Sequence, residues 1–333
     1  MKAVALLSGG LDSTLAVKVV MEQGIEVEAV HFVSVVATCT AQGGRGLASG
    51  KAAKDLGIPL RVFNVSKDFL ALVKDPKHGY GSNMNPCIDC RIFMLERGKA
   101  YMKSSGASFI ITGEVLGQRP MSQRRDAMNL TEKKAGLGGL ILRPLSAKFL
   151  PPTIPEKEGW VDREKLLGIH GRSRKEQMRL AAQLGIREYP TPAGGCLLTD
   201  PGFARRLRDL MDHRPGFSVN DIHLLKIGRH FRFSPATKMI VGRNEEENRK
   251  ICTFAKSEDI LLKLTSFPGP VSLLRGEANE AEVEKAAAIT VRYSKAKGLG
   301  KVEVSWRTCS EDSIQSLMVS SPPEHNIKAW IID

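Results

Sequence analysis

The chain has 333 residues, 42% of them apolar and 6% aromatic, with a formal net charge of +13. That length exceeds one ordinary core and predicts two or three domains, while the composition excludes a disordered or fibrous protein. No apolar run nears the ~20 residues of a membrane helix, and Met1-Lys2-Ala3 leads straight into a strand-like run, not a signal sequence, so a cytoplasmic protein without a membrane partner is expected.

Residues 2–7 form a short apolar run that ends in the turn Ser8-Gly-Gly-Leu-Asp-Ser13. A helix is expected from Thr14 to about Gln23, with Leu15, Val19 and Val20 on its apolar side, and Gly24 ends it. Val27–Val33 reads as a strand, Gly50–Leu56 as a helix, Leu60–Asn64 as a strand, Cys90–Lys103 as a helix and Ser108–Thr112 as a strand. Such alternation predicts an α/β fold, a parallel sheet with helices on both faces whose ligands sit at the carboxyl ends of the strands. Gly9–Ser13 and Gly113-Glu114 fall at two such ends, and His31, late in the second strand, could reach the same edge or be a core histidine.

Pro144, Pro151, Pro152 and Pro155 break the pattern. Trp160–Gly185 then reads as largely helical, with Ser173-Arg-Lys-Glu176 as a capping box. After Tyr189, Pro190-Thr-Pro-Ala-Gly-Gly-Cys196 is a stiff loop presenting a cysteine. From about Gly216 short strands (Met239–Val241, Val271–Leu274, Val302–Trp306) and a helix at about Ala278–Lys295 predict a separate α+β domain. The expected division is 1–150 for nucleotide binding, 151–212 as a helical linker carrying the cysteine loop, and 213–333 as the C-terminal domain.

The glycine turn carries the first chemistry. Gly9 and Gly10 let the backbone approach phosphate oxygens, their amides form an anion nest, and the following helix directs its positive end at the same place. Ser8 and Ser13 add hydroxyl donors, Leu11 begins the helix, and Asp12 can hold Mg2+ or orient a triphosphate. The loop resembles the pyrophosphatase-type (PP) loop of enzymes that split ATP into AMP and pyrophosphate. It lacks the lysine of the other phosphate loop, for which Gly43–Ala52 is a poor match.

Cysteine supplies the second. Cys39, Cys87, Cys90, Cys196, Cys252 and Cys309 are not expected as structural disulfides in a reducing compartment, so spacing matters more than number. Asn85-Pro-Cys87-Ile-Asp-Cys90 with the distant Cys196 admits three readings. A lone pair could be redox active or bind zinc; three cysteines could hold a [4Fe–4S] cluster with one open iron; or Cys90 and Cys196 could act as nucleophile and persulfide carrier. Cys39, Cys252 and Cys309 read as buried small hydrophobes.

Clustered positive charge predicts a polyanionic partner. Arg119, Arg124 and Arg125 precede Lys133 and Lys134; Arg172, Arg174 and Lys175 follow; then Arg205, Arg206 and Arg208, and finally Lys226, Arg229, His230 and Arg232. His223 and His230 read as RNA-facing or structural.

Taken together, Ser8–Ser13, Gly81–Phe93, Ile111-Thr-Gly-Glu114 and Gly194-Gly-Cys196 resemble the tRNA thiolation enzymes, with the N-terminal part of the tRNA 2-thiouridylases similar over roughly residues 1–205. Arg91 in place of asparagine and the stretch Gly117–Arg124 depart from that family. The resemblance implies an adenine-nucleotide α-hydrolase-like (HUP) fold and an ATP-dependent tRNA sulfurtransferase. ATP and Mg2+ would bind Ser8, Gly9, Gly10, Leu11, Asp12, Ser13, His31 and Gly113. Asp12, Cys90 and Cys196 would be catalytic. Similarity to the cluster-dependent members implies that Cys87, Cys90 and Cys196 hold [4Fe–4S], with persulfide chemistry as the alternative. The implied partners are tRNA and a sulfur donor (hydrosulfide, a cysteine desulfurase or a sulfur carrier), and a homodimer is compatible. Met239-Ile-Val-Gly-Arg-Asn244 through Asn248, with Pro268-Gly-Pro-Val271, resembles the NFACT-R RNA-binding domain and points to Arg243 and Asn244 as RNA contacts. The competing functions are a sulfur transferase for a small molecule and a non-catalytic RNA-binding protein.

Overall fold

The computed structural model describes residues 1–36, 45–190 and 196–332, with the side chains of residues 45–47 left aside. Cys39, Gly43 and the Thr191–Gly195 part of the cysteine loop lie outside the described residues. Two compact units divide the chain, Met1–Leu197 and Leu198–Asp333.

The first unit holds strands β1 (Lys2–Leu6), β2 (Glu26–Val33), β3 (Leu60–Asn64), β4 (Phe109–Thr112) and β5 (Ile141–Leu142). They form one parallel sheet in the order β3-β2-β1-β4-β5. Its helices are α1 (Leu11–Met21), α2 (Arg45–Leu56), α3 (Ser66–Lys74), α4 (Cys87–Ser104), α5 (Arg125–Lys134), α6 (Ile154–Lys157) and α7 (Lys175–Gln183). The two-residue period of the strands builds two cores. Ala3, Ala5, Phe109, Ile111 and Leu142 face α1 and α7, whereas Val4, Ile110 and Ile141 face Leu95 and Met102 of α4. Helices therefore cover both faces, as the alternation predicts. α1 is buried nearly all round, so Val17, which lies off the expected apolar stripe, is buried too.

The strand order reverses direction at β1: β2 and β3 lie to one side of it, β4 and β5 to the other. The gap between the carboxyl ends of β1 and β4 is thus the switch point at which such sheets bind ligands.

One expectation fails. Between Trp160 and Gly185 the chain is mostly irregular, with a 3-10 turn at Arg163–Lys165 and a single helix, α7. Nor is there a capping box at Ser173: Arg174 takes the N-cap position of α7, and Ser173 Oγ accepts the Lys175 amide at 3.4 Å. The apolar residues of this stretch (Val161, Leu166, Ile169) are spaced for packing an irregular segment onto the sheet core, not for one helical face.

The second unit contains α8 (Pro201–His213), α9 (Val219–Leu225), α10 (Glu245–Phe254), α11 (Glu280–Arg292) and α12 (Glu324–Lys328). Its strands are β6 (Arg229–Arg232), β7 (Lys238–Val241), β8 (Ile260–Leu264), β9 (Ser272–Arg275), β10 (Lys301–Thr308) and β11 (Gln315–Ser320). They pair antiparallel in the order β11-β10-β8-β9-β7-β6, the expected α+β architecture. Met239, Val241 and Leu274 face α11, while Ile240 and Leu273 pack on Leu224 and Ile251 from α9 and α10. The basic run at 226–232 is not a solvated stripe. His230 is fully buried with Nε2 on the Ile227 carbonyl, and Arg232 and Lys238 share the Asp209 carboxylate at 2.8 Å each. His223 stacks on Phe254 at 4.8 Å.

Candidate active site

β1 delivers the chain into Leu7 and Ser8, and Gly9 turns it with φ +76°. A Cβ at Gly9 would stand 2.4 Å from the backbone of Ala48 and Ser49, so α2 lies directly on the loop. Gly113, just after β4, is equally constrained: its Cβ would meet Ser13 backbone atoms at 2.5 Å. Only glycine allows these three backbones to converge at the switch point. Ser13 Oγ donates to the Gly10 carbonyl at 3.0 Å and lies 3.0 Å from Ser8 Oγ, while Thr14 Oγ1 also donates to Gly10. His31 is buried, its Nδ1 2.9 Å from the Leu7 carbonyl, so it braces the strand end beneath the loop.

Asp12 stands in the first turn of α1. Its Oδ2 accepts from Gln118 Nε2 at 2.9 Å and lies 3.6 Å from Arg174 Nη2. Gln118 Oε1 in turn accepts from Gln177 Nε2 at 3.1 Å. Asp12 Oδ1 is buried without a hydrogen-bond partner among the described residues, as are Arg174 Nε and Gln177 Oε1. Buried polar atoms are seldom left unpaired, so these atoms fit a polar guest such as a cation with phosphate oxygens. The glycine cradle and the orphaned carboxylate oxygen suit ATP with Mg2+.

Cys87 and Cys90 open α4, and Asp89 between them anchors the preceding loop by accepting the His78 amide and lying 2.8 Å from His78 Nδ1. Burial pushes the Cys90 thiol up to about 12, and the neighbouring Cys196 and Cys87 push the same way against Arg91 and Arg119. Burial also raises Cys87, opposed chiefly by Arg119. The three cysteines therefore share one neighbourhood, with two guanidinium groups beside them. In kind and number they suit a three-thiolate cluster, and the arginines would offset its negative charge. They do not stand at ligand spacing: among the described residues no group of three or more His, Cys, Asp or Glu is placed to hold a metal ion.

An ionic bridge links this neighbourhood to the nucleotide loop. Arg91, next to Cys90, places Nε 2.8 Å from Glu114, next to Gly113, although that N–H is not aimed at the carboxylate. Arg143 donates to the other Glu114 oxygen at 3.0 Å and reaches Glu132 at 2.8 Å. Burial opposes ionisation of Glu114, but the two arginines outweigh it and hold its carboxyl at about 2.

The expected RNA contacts scatter over several environments. Arg174 lies against Asp12, and Arg119 bears on the cysteines. Arg124 pairs with Asp126, and Arg125 donates to the Phe149 carbonyl. Arg172 and Lys175 are exposed before and at the start of α7. In the second unit Arg243 pairs with Glu247 at 2.6 Å, and the Asn244 side chain caps α10. Gln118, Gln177 and Arg143 escaped the sequence reading. Gln118 lies inside the Gly117–Arg124 departure, and nothing in their local pattern marks them, because each acts through a distant partner.

Known proteins bear on both units. Residues 1–148 match the family profile "Thiamine biosynthesis protein (ThiI)", and residues 228–331 match "NFACT protein RNA binding domain". The tRNA-specific 2-thiouridylase MnmA of Acidothermus cellulolyticus is 33% identical over 250 residues, covering 69% of this chain and 64% of that protein. A probable tRNA sulfurtransferase of Caldanaerobacter subterraneus subsp. tengcongensis is 31% identical over 144 residues, covering 43% of this chain and 36% of that protein. The chain spans less than two thirds of the length of either relative. The structure of the U34-tRNA thiolase NcsA from Methanococcus maripaludis with its [4Fe-4S] cluster aligns over 68% of this chain and 70% of its own, at 18% identity and a TM-score of 0.34. Residues 1–148 are thus similar to the ThiI profile and to the tRNA thiolation enzymes, and residues 228–331 to the NFACT-type RNA-binding domain.

Proposed function

We propose that the protein is an ATP-dependent tRNA sulfurtransferase that forms a thiouridine. One observation carries the reading: the ion pair from Arg91 to Glu114 joins a three-cysteine neighbourhood to the turn that packs on the PP-loop, so nucleotide and sulfur chemistry fall within one unit. The matches to thiolation enzymes and to an RNA-binding domain support the same substrate class.

ATP would lie over Gly9 and Gly10, and Asp12 is the residue that would hold Mg2+. The uridine carbonyl oxygen attacks the α-phosphorus, the bond to pyrophosphate breaks, and the base is left adenylated. Hydrosulfide adds at that carbon through its sulfur, losing its proton, and AMP departs with the former carbonyl oxygen. Ser8 and Ser13 hold the loop closed around its anion, and Gln118 orients the Asp12 carboxylate. Cys87, Cys90 and Cys196 are the residues that would hold a [4Fe–4S] cluster, which when bound supplies an open iron for sulfide.

Thionucleoside analysis of tRNA incubated with the protein, ATP and sulfide tests the function. Its formation together with AMP and pyrophosphate is expected; adenylation of a small molecule with no effect on tRNA would replace the reading. Anaerobic purification with iron and sulfide analysis tests the cluster. About four irons, lost in Cys87→Ala, are expected, and a colourless iron-free protein would move the chemistry to a persulfide on Cys90 and Cys196.

A further inference from the structure

Two loops of the second unit meet at the end of the sheet where β8 finishes and β10 starts. Residues 265–271 join β8 to β9, and residues 293–300 join α11 to β10. The Lys295 amide donates to the Pro268 carbonyl at 3.4 Å, and a Cβ at Gly269 would stand 2.9 Å from Ser294 Cβ, so the two loops touch. Phe267, in the first loop, is 38% exposed. The second loop and the start of β10 are basic: Lys295, Lys297 and Lys301 fall within seven residues, and all three are exposed. Gly298 and Gly300 turn the chain between them at φ +91° and +76°, and a Cβ at either would meet no atom within 4 Å. Nothing among the described residues packs over that turn.

These lysines differ from the other cations of the unit in having no counter-charge. Arg232 and Lys238 are bound to Asp209, Arg275 to Asp221 and Asp259, Arg243 to Glu247, and Arg292 to Glu324. Lys295, Lys297 and Lys301 form no ion pair among the described residues. Glu303, two residues from Lys301 on the same face of β10, is turned to Thr265, whose Oγ1 donates to it at 2.9 Å. Three clustered cations suit a polyanion with spaced charges, and an exposed ring beside them offers a face for stacking. A free phosphate would use the charge and leave the ring idle. Duplex RNA keeps its bases stacked on one another, so only an unpaired stretch can lay a base on Phe267. The likeness of residues 228–331 to an RNA-binding domain favours that strand over an acidic peptide.

We propose that these two loops are the RNA-holding surface of the second unit: Lys295, Lys297 and Lys301 take phosphates of an unpaired stretch, and one base stacks on Phe267. The assignment rests on RNA being the substrate. It moves the contact away from Arg243 and Asn244, which the fold uses in an ion pair and a helix cap. The test titrates the full chain with a short labelled uridine oligomer over a range of salt concentrations. Lys295→Ala, Lys297→Ala and Lys301→Ala together should lower the slope of log K against log salt by about 2, at about 0.7 for each phosphate contact on a single strand. Phe267→Ala should weaken binding about tenfold with the slope unchanged, and Phe267→Trp should restore it. Arg249→Ala with Lys250→Ala removes charge from α10, where both side chains pair within the helix, and should leave the slope as it was. A wild-type slope in the lysine variant, undiminished affinity in Phe267→Ala, or an equal loss per charge in the α10 variant would each overturn the proposal. A protein that holds RNA here yet never thiolates it would instead sink the proposed function and leave this surface standing.

Discussion

At the scale of single residues, two carboxylates divide the labour. Asp12 keeps one oxygen tied to Gln118 and Arg174 and leaves the other buried and unpaired, the arrangement of a side chain that awaits a ligand. Asp12→Ala should cut pyrophosphate release from ATP by roughly 10²-fold or more, the usual worth of a group that stabilises developing charge. Binding of tRNA, followed separately on filters, should stay near the wild-type level; an active variant would remove Asp12 from the chemistry. Glu114 is saturated where Asp12 is open. Its folded value of about 2 lies below the ordinary 4.5, so its stabilising effect is complete above pH 4.5 and is lost as pH falls toward 2. A shift of that size corresponds to roughly 3 kcal/mol. Glu114→Gln should unfold at lower urea at neutral pH, because two buried guanidinium groups lose their counter-charge, and should show a flatter decline between pH 4.5 and 2. An unchanged acid profile would mean that the ion pair is not formed.

At the scale of elements, the proposed nucleotide site is a meeting of backbones, and glycine sets its tolerances. Gly9→Ala adds both a left-handed strain and a clash with α2, and should cost about 2 kcal/mol or more with loss of ATP binding. Gly50→Ala, within α2 and facing open space, should instead raise stability by about 0.5–1 kcal/mol. Thermal melts of the pair decide whether close approach is the reason for Gly9. This loop was legible from sequence because its chemistry is local: strand, glycines, carboxylate and helix follow one another within a few residues. The alternation of the parallel sheet was legible for the same reason, with element ends misplaced by a few residues at α1 and α4. The irregular stretch from Trp160 to Lys175 was not, since its apolar residues pack singly against the sheet core and follow no single period. The Gln118–Asp12 and Arg91–Glu114 pairings were also hidden, because they span 106 and 23 positions and obey no spacing rule.

At the scale of the whole molecule, the surplus of positive charge is expected to govern association with the proposed tRNA partner. Affinity for tRNA should fall steeply as salt rises, with each phosphate contact contributing about 0.7–0.9 to the slope of log K against log salt. Replacing Arg124, Arg125, Lys133 and Lys134 by alanine should lower that slope if α5 tracks the backbone, and a slope equal to wild type would place the RNA elsewhere. His230, Arg232 and Lys238 are poor targets for such an experiment, because they are interior supports of the second unit and their loss would be felt as unfolding.

The bridge from Arg91 through Glu114 to Arg143 also limits how the sequence can drift. A lone exchange at any of the three positions strands a charge in the interior, so neutral divergence there has to proceed by paired steps. Relatives with an uncharged residue at the position of Arg91 are therefore expected to have altered position 114 too, and the two columns should vary together while their neighbours vary freely.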